Sequence, residues 1–294
     1  MDKPVPPKRV FHPAREEAEI AAHATSSPQT EHEAYRLAFQ DMDFLLRPDL
    51  RPVRFQLELL KPELLLDEAN IASTFVFYGS ARIPEPDKAD ALIAAASTDH
   101  QRRIAESLKA KSKYYDEARK LARMCSRVPE DEDGKKQFVV CSGGGPSIME
   151  AANRGACDEG RESIGLNIVL PHEQLPNPFV TPSLSFQFHY FALRKMHFLL
   201  RARAVAVFPG GFGTFDECFE LLTLIQTGKV KPIPILFFGH DFWNRVVNFE
   251  ALVEEGTVSP NDLNLFQTVE TAEEAWDLIC AHYGAEHEDL HCAK

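Results

Sequence analysis

The 294-residue sequence lacks the features that mark several classes of protein. Its six cysteines include no C-x-x-C pair, so we expect reduced thiols rather than a disulfide framework or a cysteine-based zinc site. No stretch approaches the roughly 18 consecutive apolar residues of a membrane span, and the first residues have no apolar segment typical of a secretory leader. We therefore expect a cytoplasmic protein with no membrane partner.

Positive charge is also scarce. The chain has 32 Lys and Arg residues against 44 Asp and Glu, which gives a net charge of −12. A protein this acidic is repelled by the phosphates of duplex DNA and by anionic membranes. We expect no nucleic acid partner, and any anionic ligand must be bound by donors concentrated at one place in the fold.

Composition divides the chain into four predicted parts. Residues 1–30 are rich in proline and charge and have little to bury, which predicts a flexible arm. Residues 31–70 place apolar side chains among acids, which predicts a helical extension of one or two amphipathic helices and a candidate subunit contact. Residues 71–285 form the predicted main domain, and residues 286–294 form a tail.

Short, continuously apolar segments alternate with helical patterns through the main domain. The predicted strands are 74–78, 137–141, 163–169, 204–208 and 234–238, and the predicted helices are about 113–127, 146–159, 190–202, 214–228, 241–255 and 271–283. Strands that are apolar throughout are typical of a sheet covered on both faces. The sequence therefore predicts an α/β fold with a doubly wound parallel sheet, interrupted by a surface helical insertion at 87–113. Ligands bind such sheets beyond the carboxyl ends of the strands.

A first glycine cluster, Gly143, Gly144 and Gly145, directly follows a predicted strand. Glycine lets the backbone approach an anion, and a helix that starts at Pro146 presents free N–H groups. The cluster fits neither the G-x-G-x-x-G fingerprint nor the Walker A loop. Two interpretations remain open, a phosphate site and a tight turn that only packs the helix against the strand.

A second cluster repeats the order of strand, glycines and helix, with Gly210, Gly211 and Gly213 followed by Thr214. Gly211 and Gly213 have room for an anion, while the Thr214 hydroxyl and the next amides can donate hydrogen bonds to it. Glu217 comes one helical turn later, close to the expected ligand.

Both clusters also fit a structural alternative. The spacings Thr214-x-x-Glu217 and Ser147-x-x-Glu150 match a capping box, in which the glutamate bonds back to the first amide of its helix. Spacing alone does not separate capping from a role in a site.

Acidic residues are absent from Gln174 to Phe215, a stretch of forty-two residues. Four cations lie within it: Arg194, Lys195, Arg201 and Arg203. Because the stretch leads into the second glycine cluster, it predicts a positive pocket, and an arginine offers a planar fork to a phosphate or a sugar diol. The alternative is a helix with a basic outer face.

Two further patterns do not support a metal or a cofactor. The segment His287–His291 fits the zinc motif H-E-x-x-H, but no credible third ligand accompanies it near the C-terminus. Lys195 has no visible partner for the pyridinium nitrogen of pyridoxal phosphate. We expect neither metal nor cofactor.

Three segments together resemble the LOG family, the cytokinin riboside 5′-monophosphate phosphoribohydrolases that are also labelled possible lysine decarboxylases. They are Pro209-Gly-Gly-x-Gly-Thr-x-x-Glu217, Gly143-Gly-Gly-Pro146 and the Arg194-Lys195 pair. The resemblance spans about Thr74 to Tyr283. Residues 1–70 and 87–113 exceed the short plant-type members, so the chain resembles the larger bacterial type.

The resemblance implies a Rossmann-like fold in which Arg194 and Glu217 are the catalytic pair. It also implies that both glycine loops, with Thr214, hold a nucleotide 5′-phosphate, and that Gly79 and Ser80 form the family's first Gly-Ser segment. Lys195 is added to the expected substrate-binding residues. The implied assembly is a homo-oligomer, dimeric or larger.

The expected function is hydrolysis of the N-glycosidic bond of a nucleoside 5′-monophosphate, giving a free base and ribose 5-phosphate. The expected partner is therefore a small-molecule nucleotide, either a cytokinin riboside monophosphate or AMP. One alternative is a non-catalytic carrier of a nucleotide or of the molybdenum cofactor, which the presence of both Arg194 and Glu217 disfavours. Another is a module that binds single-stranded DNA, which the net charge of −12 disfavours.

Overall fold

The computed structural model describes residues 11–171 and 175–284 and divides into two compact units between Leu57 and Glu58. The predicted tail and the H-E-x-x-H segment lie outside the described residues. The division falls inside a helix rather than at residue 70, where the sequence predicts the end of the extension. Residues 58–70 therefore belong to the same unit as the sheet.

The first unit consists of short helical elements. They are α1 (Ala14–Ala22), α2 (Met42–Leu45) and the beginning of α3 (Arg51–Glu68). Neither α1 nor α2 contains a buried residue. The guanidinium of Arg54 donates to the carbonyls of Leu45 and Arg47, both at 2.7 Å, which fixes the end of α2 against α3.

The second unit is built on a seven-stranded sheet in the order β4-β3-β2-β1-β5-β6-β7. The strands are β1 (Thr74–Tyr78), β2 (Val139–Ser142), β3 (Ser163–Ile168), β4 (Ser185–Phe188), β5 (Ala202–Val207), β6 (Ile235–Phe238) and β7 (Gln267–Val269). Every pair of neighbours is parallel. The chain builds outward from β1 to one edge and then from β5 to the other, which confirms the predicted doubly wound α/β fold.

Helices connect the strands and cover the sheet. They are α4 (Pro86–Ala94), α5 (Asp99–Lys109), α6 (Lys113–Ser126), α7 (Ile148–Asp158), α8 (Phe191–Leu200), α9 (Phe212–Gln226), α10 (His240–Val246), α11 (Phe249–Glu254) and α12 (Ala272–Gly284). Helices α4 and α5 form the predicted insertion.

Aromatic residues fill the centre of the core. All five residues of β1 are buried, as expected for a strand with helices on both faces. Phe77 stacks on Phe208 with ring centroids 6.3 Å apart, and Phe208 stacks on Phe238 at 4.1 Å. This row of rings links the segments of β1, β5 and β6 on one side of the sheet.

The structure has two strands that the sequence did not predict, and one predicted helix is divided in two. Strands β4 and β7 are short edge strands, and Gln187 and Gln267 are exposed, so neither segment has the continuous apolar run of a central strand. The predicted helix at 241–255 is two helices, because Asn248 starts a new one by accepting a hydrogen bond from the Ala251 amide.

The cysteines match the expectation of reduced thiols at four described positions. Cys125, Cys141, Cys157 and Cys218 are free thiols. Among the described residues no helix is both long enough and apolar enough to cross a bilayer.

The contact between α6 and α7 depends on the absence of a side chain at Gly155. A Cβ at this position would lie 2.3 Å from the Arg119 carbonyl oxygen and 2.7 Å from the Ala122 Cβ. We predict that Gly155→Ala lowers the free energy of unfolding by about 1–3 kcal/mol, the usual cost of overpacking, when measured by denaturant titration. Gly284→Ala, where the new Cβ meets no atom within 4 Å, is the control and should leave stability nearly unchanged.

Candidate active site

A cavity of about 860 Å³ in the sheet-containing unit lies where the strand order reverses between β1 and β5. This is the position at which doubly wound sheets bind ligands, because the connections from adjacent strands diverge there. Nine of the predicted site residues line it: Gly79, Ser80, Gly143, Gly145, Arg194, Gly211, Gly213, Thr214 and Glu217. The two glycine clusters follow β2 and β5, the two neighbours of β1, so the fold brings them together at one edge.

Arg194 and Glu217 form an ion pair at this cavity. The Arg194 Nη1 donates to the Glu217 Oε1 at 3.0 Å, and the Arg194 Nε donates to the Leu166 carbonyl at 2.6 Å. The guanidinium also lies 5.0 Å from the ring centroid of Phe198. Since the two charged side chains are only 11% and 13% exposed, they are held in one arrangement rather than moving freely in solvent.

The environment of Glu217 changes its acidity. Burial raises the pKa of the Glu217 carboxyl from its ordinary value of 4.5 to about 7, although the positive charge of Arg194 acts in the opposite direction. Burial prevails because the carboxylate loses most of its hydration. A carboxyl group with a pKa near neutrality can exchange a proton at physiological pH, which is what a general acid or base requires.

Three glycines are required by close approach in this region. A Cβ at Gly143 would lie 2.6 Å from the Arg194 Nη2, so the arginine passes directly over the first glycine turn. Gly144 has a φ of +73°, and its Cβ would lie 2.4 Å from the Asn167 Oδ1. A Cβ at Gly210 would lie 2.1 Å from the Thr214 Oγ1. Gly144 and Gly210 are outside the cavity lining, and they shape the turns rather than face a ligand.

Buried amide side chains hold the first glycine turn. The Asn177 Nδ2 donates to the carbonyls of Gly144 at 3.2 Å and Gly145 at 3.0 Å, and the Asn177 backbone N–H donates to Gly144 at 2.8 Å. The Asn153 Oδ1 accepts hydrogen bonds from Asn177 at 2.9 Å and from the Ser142 hydroxyl at 2.7 Å. With its carbonyls engaged by these donors, the turn is fixed in one conformation.

The capping-box interpretation is wrong for both glutamates. Helix α9 begins at Phe212 after Gly211, so Thr214 is already its third residue and Glu217 bonds to Arg194 instead of to the helix start. At α7 the Ser147 side chain forms no cap and donates to the Ile83 carbonyl. The Glu150 carboxylate accepts a hydrogen bond from the Tyr115 hydroxyl at 3.1 Å.

The acid-free stretch supplies one cation to the cavity rather than four. The Lys195 ammonium is paired with Asp216 at 3.1 Å and Glu220 at 3.0 Å and is outside the cavity lining. Arg201 pairs with acids of α3, and Arg203 donates to the Ala202 carbonyl. The acids that pair with Lys195 and Arg201 are distant in sequence or follow the stretch, which is why charge counting overestimated the positive pocket.

Sequence reasoning missed several residues of the cavity. Asn167, at the end of β3, lines it and faces the first glycine turn, but an asparagine in a strand carries no recognisable signal. Phe191 and Phe212 also line it and are 55% and 97% exposed, which gives the opening an aromatic surface. Among the described residues no group of three or more His, Cys, Asp or Glu side chains is arranged to hold a metal.

Comparison with known proteins agrees with this geometry. The family model described as possible lysine decarboxylase matches residues 149–279, a range that contains Arg194 and Glu217. The predicted resemblance to the LOG family is confirmed. A probable cytokinin riboside 5′-monophosphate phosphoribohydrolase from Oryza sativa subsp. japonica, LOGL3, is 27% identical over 48% of this chain and 67% of its own length.

A second relative and one solved structure extend the comparison. The cytokinin riboside 5′-monophosphate phosphoribohydrolase LOG2 of Arabidopsis thaliana is 27% identical over 61% of this chain and 81% of its own length. A solved molybdenum cofactor carrier protein from Chlamydomonas reinhardtii is 15% identical, with a TM-score of 0.41 and coverage of 71% of this chain and 97% of that one. A likeness of that degree carries no argument about function.

The raised pKa of Glu217 predicts how stability depends on pH. Between its ordinary pKa of 4.5 and its folded value of about 7, the folded protein binds more protons than the unfolded chain. The contribution of Glu217 to the free energy of unfolding is therefore highest below pH 4.5 and decreases as the pH rises to about 7. Glu217→Gln should remove up to about 1 kcal/mol per pH unit of that slope in denaturant titrations. Equal slopes for both proteins would contradict the raised pKa.

Proposed function

We propose that the protein hydrolyses the N-glycosidic bond of a nucleoside 5′-monophosphate, as a cytoplasmic enzyme that needs no cofactor. The observation that carries this proposal is the buried Arg194–Glu217 pair at the cavity between the two glycine turns. In this pair a carboxyl group of near-neutral pKa lines the same cavity as the start of α9. The proposed substrate is a cytokinin riboside monophosphate or AMP.

The start of α9 supplies the donors for the 5′-phosphate. The first backbone hydrogen bond of this helix runs from the Phe215 amide to the Gly211 carbonyl, so the amides before Phe215 precede the intrahelical ladder. Those amides and the positive end of the helix dipole favour a bound phosphate. Thr214 is buried at the cavity and adds its hydroxyl.

Glu217 acts on the sugar in this proposal. Cleavage passes through a positively charged, oxocarbenium-like ribosyl centre, which an adjacent carboxylate stabilises. Glu217 also accepts the proton of the attacking water, whose oxygen forms the new bond to C1′ while the C1′–N bond breaks and the base keeps its electron pair. Arg194 anchors the ribose or the phosphate and holds the carboxylate in place.

Phosphate binding away from the breaking bond gives the enzyme its preference for monophosphates. Contacts with the phosphate position C1′ against Glu217, and a nucleoside without the phosphate loses that positioning energy. The activity named for the rice and Arabidopsis relatives supports the same class of substrate. The aromatic opening formed by Phe191 and Phe212 suits the base, which is planar.

Replacement of the carboxyl group tests its role. We predict that Glu217→Gln retains nucleotide binding and loses turnover by about 100-fold or more, the scale of a lost general base. The measurement is chromatographic release of ribose 5-phosphate and free base from AMP, isopentenyladenosine monophosphate and a pyrimidine monophosphate. Undiminished release by this variant would refute the role of Glu217.

The matched control is Glu254→Gln, because Glu254 is an exposed carboxylate of α11 outside the cavity lining. It should keep wild-type turnover. Tight binding of the nucleotides by the wild-type protein without release of base would contradict hydrolysis and favour the carrier alternative.

We also propose that α3 joins two copies of the chain in a homo-oligomer. Leu60 and Leu64 are 52% and 56% exposed and lie four residues apart, which places them on one face of the helix. An identical helix can cover such a face by coiled-coil-like packing. The occupant is therefore a second copy of the chain.

Charge on this face should separate the copies. We predict that the double variant Leu60→Glu, Leu64→Glu has a lower mass than the wild-type protein in sedimentation equilibrium, because carboxylates cannot be buried in an apolar contact. Lys61→Glu, at an exposed position between them, is the control and should keep the wild-type mass. An unchanged mass in the double variant would remove α3 from the interface.

A further inference from the structure

Helix α8, which carries Arg194, does not cap its own amino end. Its N-cap residue, Tyr190, forms no capping hydrogen bond with its side chain. The cap comes from a distant element, because the Glu58 carboxylate of α3 accepts hydrogen bonds from the backbone N–H of His189 at 3.0 Å and of Tyr190 at 3.1 Å. Each carboxylate oxygen takes one of these donors. The negative charge of this carboxylate also interacts favourably with the positive end of the helix dipole.

Further contacts hold α8 against α3 along its length. His197 of α8 lies with its Nε2 3.1 Å from the Glu58 carbonyl oxygen. Arg201, directly after α8, donates to Glu63 at 3.0 Å and to Asp67 at 2.7 Å. The residues of α3 from Glu58 onward thus contact α8 at its start, in its last turn and beyond its end. All of them belong to the sheet-containing unit.

The capped turn is the one from which Arg194 projects. Tyr190 links Glu58 to Arg194. Its backbone N–H donates to the Glu58 carboxylate, and its carbonyl accepts a hydrogen bond from the Arg194 backbone N–H at 3.1 Å. The guanidinium then reaches the Leu166 carbonyl and Glu217. A shift at the start of α8 changes the position of the guanidinium relative to both acceptors.

We infer that Glu58 is a positioning residue for the active site: its carboxylate, hydrogen-bonded to the two backbone N–H groups that directly precede α8, sets the place of Arg194 against Glu217. This inference rests on the proposed function and gives Glu58 a role in it. Glu58 acts through α8, so its loss changes catalysis without removing a group that meets the substrate.

The acid–base behaviour of Glu217 reports the position of Arg194. The charged groups that shift the pKa of Glu217 are Arg194 and Lys195 of α8 and Asp216 of α9. Three titratable neighbours, Tyr78 of β1, Cys141 of β2 and Cys218 of α9, have their own pKa raised by burial first and by the Glu217 carboxylate as well. Of the charged groups, Arg194 has the strongest effect that lowers the pKa of Glu217. Moving the guanidinium away therefore raises that pKa further.

The experiment compares Glu58→Ala and Glu58→Gln with the wild-type protein at a temperature well below unfolding. We expect kcat to fall by about 10-fold to 100-fold in Glu58→Ala, the scale of a misplaced catalytic group. We also expect the limb of the pH–rate profile due to Glu217 to move to higher pH. Glu58→Gln, which keeps one acceptor oxygen, should lie between the wild-type protein and Glu58→Ala.

Glu68→Gln is the matched control, since Glu68 is an exposed acid on the same helix, and it should match the wild-type protein in rate and pH profile. A purely structural role for Glu58 predicts a lower melting temperature with an unmoved pH limb and wild-type kcat in the folded protein. That outcome would overturn the inference.

The inference and the proposed function fail in different ways. If the wild-type protein releases no ribose 5-phosphate, the proposed function is wrong. In that case the free energy of unfolding is measured as a function of pH. Its pH dependence includes the titration of Glu217, whose pKa depends on the position of Arg194. An identical dependence in the wild-type protein and Glu58→Ala would reject the positioning role independently of any activity.

Discussion

The ion pair between Arg194 and Glu217 is the constraint on which the rest of the site depends. A carboxylate removed from water is costly, and one nearby guanidinium compensates only part of that cost, since the pKa of Glu217 is raised to about 7 despite the pairing. This buried pair lies at the point where the strand order of the sheet reverses. The result is a carboxyl group that is fixed in direction and ready to exchange a proton at neutral pH.

The glycine turns allow this pair to exist in a narrow space. The Arg194 guanidinium passes so close to Gly143 that a methyl group there would collide with it. Glycines alone would leave this turn free to adopt many backbone conformations. Asn177 and Asn153 solve this by engaging the turn with buried hydrogen bonds. Conformational freedom of glycine and rigidity of the surrounding network are both needed.

The sequence predicts the sheet and the main site residues because they follow from short-range patterns. Apolar runs identify the central strands, and glycines after two of them identify the turns. Asn177 and Glu58 could not be found in this way, since each acts on backbone groups of a segment distant in sequence and has no motif. The same limit explains Lys195: adjacency to Arg194 in the chain suggests a shared role, but successive helical residues point about 100° apart, and Lys195 meets Asp216 and Glu220.

Arg194 and Glu217 come from different helices, so the distance between them is set by whatever fixes α8 against α9. Lys195 does this from one side, because its two ion pairs connect α8 to the first turns of α9. The acids of α3 do it from the other side, at the start of α8 and after its end. A cation and a carboxylate outside the cavity lining therefore hold α8, and with it Arg194, in place beside the cavity.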